Sequence, residues 1–402
     1  MESIKDKVAI IGMGCCRFGE LWDKGVGDLI VEATYEAYED AGIGPKDVQA
    51  AWFGTVFSGL TAMSLSMPLK LSNIPITRVE NMCATGSEAL RGAVYAVAAG
   101  VCDIALAVGV EKLKDSGYRG VSGMNVVGES SMGTSGVKPD ITAPATFGQL
   151  ANRYFYQYKI EPNEGKRLLA EIVVKSHHNG SMNPKAHYQG KVSIDQVMKA
   201  PIVAWPLGVF DCCGVSDGAA AAIVTRADMA RKFREDPIYI KTMRIGAWSG
   251  EATLLQSYDW THGEENTMTA KIAYAEAGIA DPLKELSLAE VHDCFSFHEM
   301  MIYEDFGWSP RGKAKEDIEA GTFKLGGELP VNTDGGLKCF GHPLGASGLR
   351  MMYEVYKQLQ GKAGPRQVKN PELGLTHNIG GNVGASVCSV NIVGNSRQRT
   401  GG

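Results

Sequence analysis

The sequence predicts an α/β fold that contains two similar halves. Both halves open on an apolar stretch, Val8–Gly12 in the first and Ile238–Thr242 in the second. Both also end on a glycine turn that leads into a small apolar run, at 214–224 and at 380–390. Continuous apolar runs of this length are typical of strands that helices cover on both faces. Two matching sets of such runs indicate a duplication, in which each half is built around its own sheet.

Length and composition fit two units of an ordinary globular protein. With 402 residues the chain exceeds the usual size of a single core, and we expect the halves to be 1–228 and 229–402. The formal charge of -5 gives no general attraction for nucleic acid or for an anionic membrane. The sequence contains no signal region and no apolar run that could span a bilayer, so a cytoplasmic protein is expected.

The first strand leads into Gly12-Met13-Gly14-Cys15-Cys16-Arg17, which begins like a dinucleotide-binding loop. Arg17 stands where the third glycine of such a loop should be. We therefore predict a tight structural turn here and no nicotinamide site.

Cys83 follows a β-rich run and precedes a helix of small residues that reaches Gly100. A helix N-terminus carries roughly +0.5 charge and unpaired N–H groups, which favour a thiolate. Cys83 is thus a candidate nucleophile, and a cysteine buried only for packing is the alternative. The apolar run Cys102–Val110 that comes next predicts a buried parallel strand.

Between about 119 and 200 the pattern changes to a sequence rich in Gly, Ser, Pro and Asn, with helical pieces at Phe147–Tyr158 and Gly165–His178. A segment of this length is expected to form an inserted unit, because long bare loops are rare in compact domains. The aromatic stretch 154–158 fits either the binding of a bulky group or a helix face in the core.

Two further segments place reactive side chains at the start of a helix. His342 stands before Pro343 in the glycine-rich segment 339–348, and proline suits the first helical turn. His292 and Cys294 follow a strand-like run and precede another helical pattern. Three reactive clusters at strand-to-helix turns indicate one catalytic site.

The remaining cysteines and histidines are predicted to be structural. No Cys-x-x-Cys spacing occurs, so we expect no metal site. Nine cysteines without a secretion signal fit a reducing compartment, and most of them are expected to pack in the core. Cys339 is expected to pack beneath the site. His298 is expected to be satisfied locally, with a supporting role at the site as the alternative. His177, His178 and His187 are expected at the surface or along a substrate tunnel.

The segments around Cys83, His292-Asp293-Cys294-Phe295 and Gly341-His342-Pro343 together resemble the thiolase superfamily, and within it the branch of sterol-carrier-protein-2 thiolase. The resemblance covers essentially the whole chain and keeps the family order of the motifs. It implies a duplicated five-layer α-β-α-β-α thiolase fold, with the insertion at about 119–200 forming a lid over a coenzyme A and acyl tunnel.

The resemblance also implies the roles of the site residues. Cys83 matches the acyl-accepting nucleophile, His342 the histidine that activates it, and Cys294 the acid/base cysteine of this branch. His292 takes the place of the asparagine in the Asn-Glu-Ala-Phe motif of other thiolases. The backbone N–H groups of Cys83 and Gly380 would bind the acyl oxygen. The common second cysteine is replaced by Asn378, so Cys294 would do its work.

An acyltransferase that cleaves or forms a 3-oxoacyl-CoA is the implied activity, with coenzyme A as co-substrate and no tightly bound cofactor. The residues that contact the CoA nucleotide are not indicated. Acetoacetyl-CoA and benzoylsuccinyl-CoA remain open as substrates. A homodimer is implied, and a small OB-fold and zinc-ribbon companion subunit is a further possibility. Retro-aldol lyases of the same scaffold, ketoacyl synthases and a silent scaffold subunit are the alternatives. Cys83 argues against the lyases, which lack the nucleophilic cysteine.

Overall fold

The computed structural model describes residues 3–116 and 142–397, and nine strands in these ranges join one mixed sheet. In chain order the strands are β1 (Val8–Cys15), β2 (Ala50–Gly54), β3 (Ile76–Val79), β4 (Ile104–Lys112), β5 (Ile202–Ala204), β6 (Leu207–Gly208), β7 (Asp217–Arg226), β8 (Ile238–Ala247), β9 (Leu288–Glu290), β10 (Leu373–Asn382) and β11 (Ala385–Gly394). Strands β5 and β6 form a separate small hairpin.

Twelve α-helices lie in the same ranges. They are α1 (Val26–Ala41), α2 (Met63–Leu69), α3 (Thr85–Ala98), α4 (Ala143–Gln157), α5 (Pro162–Gly180), α6 (Ile194–Lys199), α7 (Glu264–Ala277), α8 (Pro282–Glu285), α9 (Ser296–Asp305), α10 (Ala314–Ala320), α11 (Gly336–Phe340) and α12 (Leu344–Leu359). None of the described helices is both long enough and apolar enough to cross a membrane.

The strand order repeats between the halves and confirms the predicted duplication. The sheet runs β3-β2-β4-β7-β1-β8-β11-β10-β9. In each half the first strand pairs with the last one, and the two first strands meet in the middle, where Ala9 pairs with Tyr239 and Ile10 with Ile238. In the second half the counterpart of β3 is not a full strand. It consists of Val331, which forms a single parallel bridge with Ala289 of β9.

Helices divide the molecule into five layers, as expected. Helix α1 packs on β1 and β7, and α7 packs on β8 and β11, so these two helices lie on the outside. Helix α3 contacts β2 and β4, and α12 contacts α3 and strands of both halves. The central pair approaches closely because Gly86 has no side chain. A Cβ there would lie 2.9 Å from the carbonyl oxygen of Gly345 and 3.0 Å from the nitrogen of Gly348.

The turn predicted at Gly12 is wrong, because β1 continues through this position to Cys15. The two glycines instead allow α1 to lie against the strand. A Cβ on Gly12 would lie 2.6 Å from the Cβ of Ala41, and one on Gly14 would lie 2.7 Å from the nitrogen of Ala37. Close packing of helix on strand therefore explains the glycine pattern without a nucleotide.

Part of the predicted insertion, residues 119–141, lies outside the described residues. The rest contains α4, α5 and α6, which confirms both predicted helical pieces. Helices α4 and α5 pack against α9 and thus cover the second half. Tyr154 and Phe155 are buried against Phe297, whereas Tyr156 is exposed. The aromatic stretch therefore serves mainly the core.

Candidate active site

Cys83 lies in a short 3-10 turn, Met82–Ala84, between β3 and α3. Thr85 Oγ1 accepts a hydrogen bond from the backbone N–H of Asn81 at 2.9 Å and closes this turn. Met82 has a φ of 51°, a strained backbone conformation that is common at functional sites. Gly380 of β10 lies directly beside it, since a Cβ there would approach the Met82 Cβ to 2.9 Å. The predicted oxyanion residues are thus neighbours in the fold.

Three side chains from distant parts of the sequence converge at this turn. Cys83 Sγ, a ring nitrogen of His292 and a ring nitrogen of His342 all lie within 4.8 Å of one another. The two rings are nearly perpendicular, with centroids 5.1 Å apart. We call Cys83, His292 and His342 the first cluster. Its geometry brings together a thiol from the first half and two imidazoles from the second.

The tautomer of His342 follows from its hydrogen bonds. Ser347 Oγ donates its proton to the carbonyl oxygen of Pro343 at 3.0 Å, so it accepts from Nδ1–H of His342 at 2.8 Å. The lone pair is then on Nε2. Burial, with a further contribution from the charge of Arg350, lowers the pKa of His342 to about 4. The ring is therefore neutral at physiological pH and can accept a proton.

The position of Cys83 before a helix N-terminus led us to expect a thiolate, and the structure indicates a protonated thiol instead. Burial, and next the charge of Glu111, raise the pKa of Cys83 to about 12. A 3-10 turn separates the sulfur from the first turn of α3. Desolvation therefore raises the pKa of the thiol by more than the helix N-terminus lowers it. Cys83 is thus a thiol at rest, and a base must take its proton when it reacts.

A second cluster consists of His292, Cys294 and His298. One ligand atom from each residue lies within 4.8 Å of the other two, and all three residues are buried. Burial is the main cause that raises the pKa of Cys294 well above its usual value. The local partner predicted for His298 is absent, because neither of its ring nitrogens makes a hydrogen bond of normal geometry to any described residue. Burial lowers the pKa of His298 to about 3, and a contact with the backbone of His292 partly opposes this shift.

Contacts that the sequence did not indicate hold the segment 292–294. Asp293 accepts a hydrogen bond from the backbone N–H of Leu337 at 2.6 Å, and its carboxylate lies 3.2 Å from Lys338 Nζ. The backbone N–H of His292 donates to His377 Nδ1 at 3.4 Å. These bonds connect the second cluster to α11 and thus to the segment that carries His342.

Cys213 packs against the core, as predicted for most of the cysteines, and it also borders the site. Its backbone N–H donates to the carbonyl oxygen of Cys294 at 2.9 Å, and the bridge between Cys212 and Phe295 extends this contact. A backbone contact of this kind leaves no recognisable pattern in the sequence, which is why it was missed.

Several other predicted candidates lie outside both clusters. Asn378 is buried and accepts a hydrogen bond from Ser87 Oγ at 2.9 Å. Cys339 is buried against Gly180, as expected for packing. His177 lies in α5 and is buried, not at the surface that was one of its two predicted locations, with its Nδ1 2.7 Å from the carbonyl oxygen of Gly190. His187 contacts Ser216 at 2.9 Å and stacks on the neighbouring Tyr188, and the adjacent His178 is exposed.

Both halves match one family of known proteins. Residues 8–228 match the family Thiolase, N-terminal domain, and residues 246–392 match the family Thiolase C-terminal domain-like. An acetyl-CoA acetyltransferase of Methanothermobacter thermautotrophicus is 38% identical over 389 residues, which cover 95% of this chain and 98% of that relative. Sterol carrier protein 2 of Bos taurus is 31% identical over 398 residues, which cover 94% of this chain and 70% of the relative.

Solved structures share the fold at low sequence identity. An Ltp2-ChsH2(DUF35) aldolase superposes with a TM-score of 0.83 at 22% identity and covers 99% of this chain and 100% of its own. Human mitochondrial 3-ketoacyl-CoA thiolase in complex with CoA superposes with a TM-score of 0.69 at 17% identity, covering 98% of this chain and 100% of its own. At these identities the likeness shows the fold alone.

Proposed function

The chain belongs to the thiolase family of acyltransferases, and from that premise we propose that it cleaves or forms a 3-oxoacyl-CoA through an acyl-enzyme on Cys83, with coenzyme A as the acyl acceptor. One observation carries this proposal. The sulfur of Cys83 and ring nitrogens of His292 and His342 lie within 4.8 Å of one another. A nucleophile next to a neutral base is the arrangement that covalent acyl transfer needs.

In the first step His342 acts as the base. Its Nε2 takes the proton of the Cys83 thiol while the sulfur forms a bond to the keto carbon of the substrate. A neutral imidazole suits this role, since the pKa of Cys83, raised to about 12, leaves too little thiolate at neutral pH. The carbonyl oxygen of the substrate would be held by the backbone N–H groups of Cys83 and Gly380. Loss of one such donor typically slows a reaction by ~100- to 1000-fold.

In the second step the bond between C2 and C3 of the substrate breaks and leaves an acyl group on Cys83. The other product is the enolate of a CoA thioester, which needs a donor for its oxygen and a proton for its carbon. In the proposed mechanism His292 donates to the oxygen, and Cys294 delivers the proton. The high pKa of the Cys294 thiol keeps it protonated and ready to act as an acid.

A second coenzyme A completes the cycle. The Cys294 thiolate takes the proton of the CoA thiol, whose sulfur attacks the acyl carbon on Cys83. As the bond from this carbon to the Cys83 sulfur breaks, protonated His342 returns its proton to the sulfur. All four side chains then have their starting charges.

Covalent labelling tests the acyl-enzyme. The protein is incubated with acetyl-CoA, and intact-mass and peptide measurements locate the added acetyl group. We expect it on Cys83 in the native chain and on no cysteine in Cys83→Ser. Cys102→Ala is a matched control, because Cys102 is also buried but belongs to neither cluster. A native protein that turns over substrate without any adduct on Cys83 would refute the proposal.

A retro-aldol lyase is the second candidate, and the aldolase among the fold neighbours favours keeping it. Such an enzyme forms no acyl-enzyme and releases an aldehyde or ketone without consuming coenzyme A. Measuring whether substrate cleavage requires free CoA separates the two activities. Cleavage that is independent of CoA and survives Cys83→Ser would identify the lyase.

The acyl substrate is proposed to be a short one such as acetoacetyl-CoA, because curated relatives that match nearly the whole chain are acetyl-CoA acetyltransferases. Phe147 of α4 and Phe295 lie with ring centroids 4.8 Å apart, and Phe147 also packs on His298 of the second cluster. These rings leave less room for a large acyl group beside the cluster. Comparing acetoacetyl-CoA with benzoylsuccinyl-CoA as substrates tests this choice. A preference for the aromatic substrate would contradict it.

A homodimer is proposed on the basis of one edge of the sheet. Strand β3 is the terminal strand of the sheet, and no described strand pairs with its outer side. The loop and helix before it expose four large apolar side chains, Phe57, Leu60, Met63 and Met67. Light scattering of the native protein and of Leu60→Asp would test the interface. Native purification would also show whether a small companion subunit is present, as the two-component name of the aldolase neighbour suggests.

A further inference from the structure

We propose that His292, Cys294 and His298 form a binding site for a divalent metal ion of the zinc class, and that an ion in this site blocks Cys294. Each residue offers one ligand atom, and these atoms lie within 4.8 Å of one another. Zinc bonds to nitrogen and sulfur of about 2.0–2.3 Å place the ligands of one ion at comparable separations. Small rotations of the side chains would therefore bring all three onto one ion.

Unpartnered polar atoms in the second cluster are an independent sign of a missing ligand. Nδ1 of His292 and both ring nitrogens of His298 are buried and make no hydrogen bond to the described part of the chain. Leaving one such atom without a partner costs about 1–3 kcal/mol. His298 has no solvent-exposed surface that could compensate. A metal ion that binds one lone pair of each ring would remove the cost for those two nitrogens.

The chemistry of the donors favours a metal over other ligands. His298 offers an imidazole nitrogen and Cys294 a sulfur, both from buried side chains of the cluster. Two neutral imidazoles and one thiolate are the ligands that Zn²⁺ prefers. Three protein ligands leave a fourth position open to water or to a substrate group. Binding forms a bond between the metal and the Cys294 sulfur and releases the thiol proton to solvent.

The first cluster is the competing location, because it also contains a thiol and two imidazoles. His292 is common to both clusters, so an ion would use this ring in one of them at a time. In the first cluster Nδ1 of His342 is already bonded to Ser347, and Cys83 is partly exposed. The unpartnered nitrogens of His298 lie only in the second cluster, which is why we assign the ion to it.

An ion on Cys294 would inhibit acyl transfer, since the thiol could no longer donate or accept a proton. This consequence rests on the proposed function, whereas metal binding does not. The two are tested separately, so failure of one leaves the other measurable.

Cobalt provides the binding test without any substrate. Protein freed of metal with a chelator and kept reduced with a phosphine is titrated anaerobically with Co²⁺. We expect one equivalent to produce a thiolate-to-cobalt charge-transfer band and visible bands of a four-coordinate ion, and Zn²⁺ to displace it. Cys294→Ser and His298→Asn should lose the charge-transfer band or weaken binding more than about tenfold. His298→Gln is a second variant if the first does not fold, with circular dichroism as the check.

Cys83→Ser decides between the clusters and should retain the charge-transfer band. Loss of the band in Cys83→Ser with retention in His298→Asn would place the ion in the first cluster and overturn the assignment. Absence of any band in the native protein would overturn the site altogether. In the turnover assay, Zn²⁺ should inhibit the native enzyme at concentrations more than about tenfold below those needed for His298→Asn. Equal inhibition of both would overturn the blocking of Cys294.

Discussion

His342 and Ser347 share a hydrogen bond of 2.8 Å between Nδ1 and Oγ, and this bond determines which nitrogen of the ring carries the proton. The hydroxyl has only one proton, which it donates to the carbonyl oxygen of Pro343. The serine therefore accepts from the ring and fixes the proton on Nδ1. Since both residues lie at the start of α12, the helix itself orients the proposed base.

Ser347→Ala is expected to lower kcat while leaving the fold intact. Without the hydroxyl, the ring can adopt either tautomer, and a hydrogen bond of about 1 kcal/mol corresponds to a roughly fivefold to tenfold loss of rate. Steady-state kinetics of CoA-dependent cleavage measures the effect. Ser176→Ala is the matched control, because this buried hydroxyl of α5 bonds to no described residue. Equal kcat values for native protein and Ser347→Ala would contradict the role of Ser347.

Gly86→Ala is expected to separate the two central helices. The new methyl group would lie 2.9 Å from the carbonyl oxygen of Gly345, so α3 and α12 must shift. Overpacking of this kind lowers the free energy of unfolding by about 1–3 kcal/mol. Because Cys83 and His342 lie just before the first residues of these helices, a shift of the helices displaces both, and turnover should fall by about 100-fold.

Gly326→Ala provides the control for this change, since nothing lies within 4 Å of a Cβ at Gly326. Chemical denaturation and turnover are measured for both variants. An active, fully stable Gly86→Ala would show that the helices tolerate a wider spacing.

Asp293→Asn is expected to destabilise the segment that carries His292 and Cys294. The carboxylate is fully buried, lies 3.2 Å from Lys338 Nζ and accepts from the backbone of Leu337. Removing one partner of a buried ion pair typically costs about 3–5 kcal/mol. Denaturation with urea measures the loss, and the additional change Lys338→Met should restore part of it.

Glu316→Gln is the comparison for an exposed ion pair. Glu316 and Lys313 lie 2.8 Å apart with more than half of each side chain exposed. Pairs of this kind contribute less than about 1 kcal/mol. A loss for Asp293→Asn no larger than that for Glu316→Gln would mean that Asp293 contributes little to the site.

The fold could be predicted from the sequence because its strands and turns have strong local sequence patterns. Apolar runs and glycine turns mark the strands β4, β7 and β11, and the repeated order of these signals gave the duplication. The prediction of a turn at Gly12 and Gly14 was wrong because glycine is common both in turns and where a helix packs closely on a strand. Only the distance between α1 and β1 distinguishes the two cases. The local sequence does not determine that distance.

The positions of Cys83, His292 and His342 could likewise be predicted, since each stands at a strand-to-helix turn with a recognisable motif. Their environment could not. The pKa of Cys83 depends on burial and on Glu111, which reaches the site from β4. The unpartnered nitrogens of His298 depend on what surrounds them in space. Such properties arise from tertiary packing and have no signature along the chain.

Stability should decrease as the pH falls from about 6.5 to about 4, and His342 supplies part of this dependence. Burial lowers the pKa of His342 to about 4 in the folded protein, against about 6.5 in an unfolded chain. Between these values the unfolded chain binds more protons, so the free energy of unfolding falls with the pH. The contribution is fully present above the unfolded pKa and lost on approaching the folded one. At about pH 5 the loss from this residue is on the order of 2 kcal/mol.

Urea denaturation at about pH 7 and about pH 5 measures this loss. In His342→Asn the free energy of unfolding should change between the two pH values by an amount that is smaller by this loss. Among the other buried histidines, His292 is coupled to His342, whose charge contributes after burial to the lowered pKa of His292, so the measured difference includes this coupling. An equal or larger pH dependence in His342→Asn would mean that His342 is not buried as a neutral ring.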